Sequence, residues 1–144
     1  MRKFTLFLGL ILATMLVAKP SVSIQDQKML VTDGENSYVL TPNGEDASYF
    51  WASVSPDGKH LVYVTARYGT FVCDINGQNL RSMGRMNAPK WIDNDHVAGM
   101  QEFYKEHDEI DHIRYICRSI DGKLTRDLTA NEQNAFIQSE EARI

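Results

Sequence analysis

The chain has 144 residues, of which 15 are Lys or Arg and 19 are Asp or Glu, for a formal net charge of −4. That balance, with no Lys/Arg cluster anywhere along it, excludes nucleic-acid binding, which requires a basic face. Cys73 and Cys117 are the only cysteines and form no Cys-x-x-Cys pair, which excludes a dithiol redox centre of that type.

Arg2 and Lys3 precede an uncharged stretch, residues 4–18, and then the small residues Ser21 and Ser23. A basic start, a short apolar run and small residues after it have the form of a secretory signal peptide. The run is about fifteen residues, short of the roughly twenty that cross a bilayer as a helix, so no retained membrane anchor is expected. Residues 1–23 are read as the signal helix, cut after Ser23, or alternatively after Ala18 where Lys19-Pro20 makes a poorer site. A periplasmic or secreted location follows. In such an oxidising compartment Cys73 and Cys117 either pair or remain small buried hydrophobes, since each sits in an apolar strand.

From residue 24 onward, β-branched and aromatic runs alternate with turn residues and no long helical pattern intervenes. Residues 29–31 and 38–41 are predicted as short strands around Asp33-Gly34-Glu35-Asn36. Four strands follow, at residues 49–54, 60–66, 70–75 and 80–83. Their connections are Ser55-Pro56-Asp57-Gly58, Arg67-Tyr68-Gly69 and Asn76-Gly77-Gln78, each with the glycine a tight hairpin favours. A divergent copy reads as strands at residues 89–92, 96–103, 112–120 and 124–128, with Asp93-Asn94-Asp95 as its first turn and Asp121-Gly122 in the place of Asn76-Gly77. The period of roughly 40 to 45 residues is that of a four-stranded propeller blade. In the tail, residues 135–139 have the composition of another first strand, whereas Thr129 with Glu132 forms a helix capping box.

Ser55-Pro56-Asp57-Gly58-Lys59, the strand after it, Cys73-Asp74-Ile75-Asn76-Gly77 and the closing Leu128-Thr129 resemble the repeats of TolB-like β-propellers. The propellers of prolyl oligopeptidase and dipeptidyl peptidase enzymes are similar at the same places. The resemblance covers roughly residues 38–129, one repeat fully and the other without Ser-Pro-Asp-Gly. It implies a periplasmic scaffold that binds envelope proteins, or a substrate-gating propeller attached to a serine peptidase. The expected fold class is therefore all-β: four-stranded antiparallel blades of an incomplete TolB-like β-propeller, with blades at about 47–84 and 88–129 and a tail at 130–144. Two unclosed blades expose apolar faces, including Trp51, Val62, Trp91 and Phe103, and so call for a longer or degenerate propeller, or for a homo-oligomer that covers them.

The polar stretch from Glu102 to His112 brings carboxylates and two imidazoles together, and Glu106, His107, Asp108, Asp111 and His112 are its candidate cation ligands. Their spacing matches neither a His-Glu-x-x-His helix nor a calcium loop, so a solvated loop accounts for them and no metal or cofactor is expected. Trp51 and Trp91, in corresponding first strands, are candidates for a ligand platform and equally for packing between blades. His60 and His96 open strands without partners in sequence and receive no role. No Gly-x-Ser-x-Gly elbow and no Gly-rich phosphate loop occurs, so the chain is expected to lack catalysis of its own. The expected function is binding of protein or envelope components, with a remnant of a peptidase-associated propeller and a small carbohydrate-binding module as alternatives.

Overall fold

A computed structural model describes residues 18–142. Residues 1–17 of the expected signal segment lie outside them. The described chain folds into three antiparallel sheets and one C-terminal helix. The first sheet holds β1 (Ser21–Gln25), β2 (Lys28–Asp33) and β3 (Asn36–Leu40) in that order. The second holds β4 (Tyr49–Val54), β5 (His60–Thr65), β6 (Gly69–Asp74) and β7 (Arg81–Gly84). The third holds β8 (Asn87–Trp91), β9 (His96–Tyr104), β10 (Ile110–Ser119) and β11 (Thr125–Asp127), and α1 (Ala130–Glu141) follows. Both four-stranded sheets are simple meanders, as their hairpin turns predict.

Alternation along each strand decides which layer each side chain joins. Leu61 and Tyr63 of β5 point one way and pack with Met29, Val31, Tyr49 and Cys73 between the first and second sheets. Val62, between them in sequence, points the other way and packs with Val72, Met83, Met86, Val97 and Ile116 between the second and third. Ala98 and Cys117, the next residues after Val97 and Ile116, turn to the far face of the third sheet and meet Leu128 and Phe136. At Gly99 the space a Cβ would fill is taken by the Met86 side chain, 2.0 Å from that position, so only glycine admits Met86 into this layer.

Val62 is therefore fully buried, contrary to the exposure that two unpartnered blades require. Trp51, Trp91 and Phe103 are half-buried. The face opposite Val62 is covered by the first sheet, whose strand β1 begins inside the segment expected to be the signal, at Ser21 to Ser23. Strand β1 runs across the expected cut at Ser23 and pairs with β2 along its whole length. Its turn, Asp26-Gln27, has positive φ at both residues (49° and 61°), a conformation more often taken by Asn-Gly, and Gln27 carbonyl accepts from the Tyr49 amide at 2.9 Å. The outer face of this sheet presents the rows Ser21, Thr32 and Ser37, and Ser23, Leu30 and Val39.

The far face of the third sheet is covered by α1, so of the two readings of the tail the helix forms. Thr129 Oγ1 accepts from the Glu132 amide at 3.2 Å, Glu132 accepts from the Thr129 amide at 3.0 Å, and Arg126 grips both Glu132 oxygens at 2.7 and 2.9 Å. Lys90 reaches across from β8: its Nζ lies 4.5 Å from the Phe136 ring centroid and 2.7 Å from Glu140 Oε1. Cys73 and Cys117 belong to different layers and are free thiols.

Val62→Ala is expected to cost about 1 to 3 kcal/mol in urea unfolding, because it opens space between two sheets. Val39→Ala, at a side 61% exposed, is expected to stay within about 0.5 kcal/mol; equal losses at the two positions would refute the layered core. Arg126 and the Thr129 amide hold the Glu132 carboxyl down to about 2 from its ordinary 4.5. Its contribution is present above the ordinary value and is lost as pH falls towards about 2. Circular dichroism of Glu132→Gln is expected to show less helix at neutral pH and no further Glu132-linked loss in that acid window.

Candidate functional site

In a meander the first and third turns lie at one end of the sheet and the second at the other. The turns at β4–β5 and β6–β7 therefore share an end of the second sheet, and those at β8–β9 and β10–β11 share an end of the third. The chemistry of these turns is repeated. Ser55 Oγ donates to Asp57 Oδ1 at 2.6 Å, the same oxygen accepts the Lys59 amide at 3.1 Å, and Ser55 Oγ accepts the His60 amide at 3.0 Å. Ser119-Ile120-Asp121-Gly122-Lys123 reproduces the set: Ser119 Oγ to Asp121 Oδ1 at 2.6 Å, Lys123 amide to Oδ1 at 2.9 Å, and Leu124 amide to Ser119 Oγ at 2.9 Å. Gly58 and Gly122 take φ near +76° and +75° in the corresponding places. Asp121-Gly122 is thus the topological counterpart of Asn76-Gly77 and the chemical counterpart of Asp57-Gly58.

Between the second and third sheets at this end lies a cleft of about 680 Å³. One wall carries His60, Asp74 and Arg81, the other Asp95, His96 and Asp121, and Val72 contributes apolar surface. His60 and Asp74 are cross-strand partners, with Nε2 to Oδ1 at 3.5 Å, and Asn79 donates to the other Asp74 oxygen at 2.6 Å. The His60 Nδ1 atom is buried without a hydrogen-bond partner. His96 Nδ1 meets both oxygens of Asp93 at 2.9 and 3.0 Å. The turns of the third sheet are tied together by the Ile120 amide, which donates to Asp95 carbonyl at 2.9 Å.

Hydrogen bonds from the Ser119 hydroxyl and the Lys123 amide hold the Asp121 carboxyl below its ordinary range. Burial pushes Asp93 upward, but the Asp95 amide and His96 outweigh it and its carboxyl is held low as well. Burial raises the Cys73 thiol to about 12, which removes it as a nucleophile at neutral pH. Among the described residues no hydroxyl or thiol is hydrogen-bonded to an imidazole, so what the cleft offers chemically is charge and hydrogen bonding.

The sequence candidates lie elsewhere. Glu106, His107, Asp108, Asp111 and His112 are all exposed, in and beside the β9–β10 connection at the opposite end of the third sheet. Asp111 bonds His112 Nδ1 at 2.8 Å and lies 3.7 Å from Lys105, and the His112 ring stacks on Phe103 at 4.5 Å. No three His, Cys, Asp or Glu side chains among the described residues converge as a metal site. Trp51 and Trp91 pack against the layer between the second and third sheets, and Trp91 Nε1 donates to Ser53 carbonyl at 3.1 Å. His60 and His96, to which the local sequence assigns no role, each open the second strand of their sheet directly after an aspartate-containing turn.

No family model and no curated protein sequence matches the chain. Its fold is similar to that of the solved apo structure of the AtxE2 isopeptidase, with a TM-score of 0.53 and 13% identity over 80% of this chain. The chain spans 29% of the length of that protein. Two expectations are corrected. The resemblance to TolB-like propellers and their prolyl oligopeptidase and dipeptidyl peptidase relatives does not stand as a family assignment: the similar structure is an isopeptidase, and the described residues form three sheets with no closed ring. The expectation of no enzymatic role is corrected by the same finding: the fold is similar to that of part of an isopeptidase, so it does not set an enzymatic role aside.

Ser119→Ala is expected to raise the Asp121 carboxyl toward its ordinary value of 3.8, read by carbon-13 NMR titration of the aspartate side chains. An unmoved Asp121 would show that the hydroxyl does not hold it.

Proposed function

We propose that these stacked sheets are the peptide-receiving part of a peptidase-class enzyme, exported to the periplasm or the exterior, and that the cleft between the second and third sheets is where the peptide seats. On this reading the two four-stranded sheets are successive blades of propeller type, and the hydrolytic step is that of the enzyme to which they belong. The observation that carries the proposal is the cleft itself: an open, polar recess between two sheets, edged by turns whose backbone is fixed by side-chain hydrogen bonds. The likeness to an isopeptidase fold supports the class of ligand. Export is supported by Arg2, Lys3 and the apolar run after them.

Carbohydrate binding through Trp51 and Trp91 has less support, because Trp91 is engaged with Ser53 and both rings pack on the layer between sheets. Titration of the nitrogen-15-labelled protein with mixed-sequence unstructured peptides is expected to give saturable shifts at the amides of His60, Asn79, His96 and Ile120. Shifts confined to the first sheet, or no saturable binding, would overturn the proposal.

A further inference from the structure

The charged groups of the cleft divide into those already engaged and those left free. Asp74 is held by His60 and Asn79, and His96 is held by Asp93. Asp95 is exposed, and among the described residues its carboxylate makes no hydrogen bond or ion pair. Asp121 has one oxygen engaged by Ser119 and Lys123, and the other oxygen has no partner among the described residues. These two carboxylates stand on adjacent turns joined by the Ile120 to Asp95 backbone bond, so they form one anionic wall. Arg81, from the second sheet, donates to Ile120 carbonyl at 3.4 Å, and its charge helps hold the Asp121 carboxyl low without a direct ion pair between them. The buried His60 Nδ1 is a further unused hydrogen-bonding atom on Arg81's side.

Resting on the reading of the cleft as a peptide site, we propose that its ligand is a peptide carrying a basic side chain, lysine or arginine. The cation sits against Asp95 and Asp121, and the peptide carbonyls accept from the Arg81 guanidinium. An acidic peptide meets two carboxylates for one guanidinium and is disfavoured. A neutral peptide keeps the Arg81 contacts and leaves the anionic wall solvated.

Three fluorescently labelled peptides of one sequence, with Lys, Gln or Glu at the central position, separate the cases by anisotropy with the purified full chain. The Lys peptide is expected to bind about fivefold more tightly than the Gln peptide at low salt, as two solvent-exposed ion pairs allow, and to lose that advantage as salt rises. Asp95→Asn is expected to remove most of the preference for the Lys peptide over the Gln peptide. Glu35→Gln, at the hairpin tip of the first sheet, is expected to keep the preference. Equal binding of all three peptides overturns this inference and leaves the peptide site standing; a preference for Glu, or one untouched by Asp95→Asn, overturns it as well. Absence of binding by any peptide overturns both.

Discussion

Everything in this molecule depends on burying the second sheet on both faces. Three consecutive residues of β5, Leu61, Val62 and Tyr63, are fully buried, which a strand with one solvated face cannot achieve. Odd positions of β5 commit it to the first sheet and the even position to the third, so two flanking layers are required by three side chains. The apolar contact stops at Val62, and the preceding residue on the same face of β5 is His60. Where the packing ends, polar side chains begin, and the cleft occupies that end of the interface. The site is thus a consequence of where the hydrophobic alternation runs out.

Most of this was legible locally. Strands β4 to β7 and the glycine-marked turns between them follow from β-branched runs and hairpin residues, and Thr129 with Glu132 announced the helix. Strand β1 was not legible, because Ser21-Val22-Ser23 also has the composition of a processing site and Asp26-Gln27 is an unusual occupant of a turn needing positive φ twice. The second Ser-x-Asp-Gly-Lys turn was less legible because it carries no proline. Proline presets one dihedral, whereas the serine and aspartate side chains supply the hydrogen bonds, and Ile120 serves where Pro56 stands.

The candidate site was illegible for a different reason. Its groups span His60 to Asp121 and meet only because two sheets stack with their turn ends aligned; no window of sequence contains them. A charge run such as Glu102 to His112 attracts attention because its members are adjacent in sequence, and adjacency on a hairpin connection leaves them in water. One trace was present: His60 and His96 hold the same place in the two repeats, opening the second strand after a turn rich in aspartate. Equivalent polar residues at strand ends of successive repeats fall on one edge of a stack, where packing no longer decides their identity.

The two ends of the described stack are finished by different physics. The outer face of the first sheet carries Ser21, Thr32, Ser37, Ser23, Gln25 and Lys28, with only Leu30 and Val39 apolar, so it is compatible with water. The far face of the third sheet is apolar, with Ala98, Cys117 and Leu128, and needs a cover. Another sheet would serve, and here α1 does so through Phe136, anchored by Lys90 at one end and by the Arg126 grip on Glu132 at the other. A ring is one way to cover sheet faces; a polar outer layer and a clasped helix are another. Burial of the described core therefore places no requirement for ring closure on this chain, and the cleft between the second and third sheets stands without it.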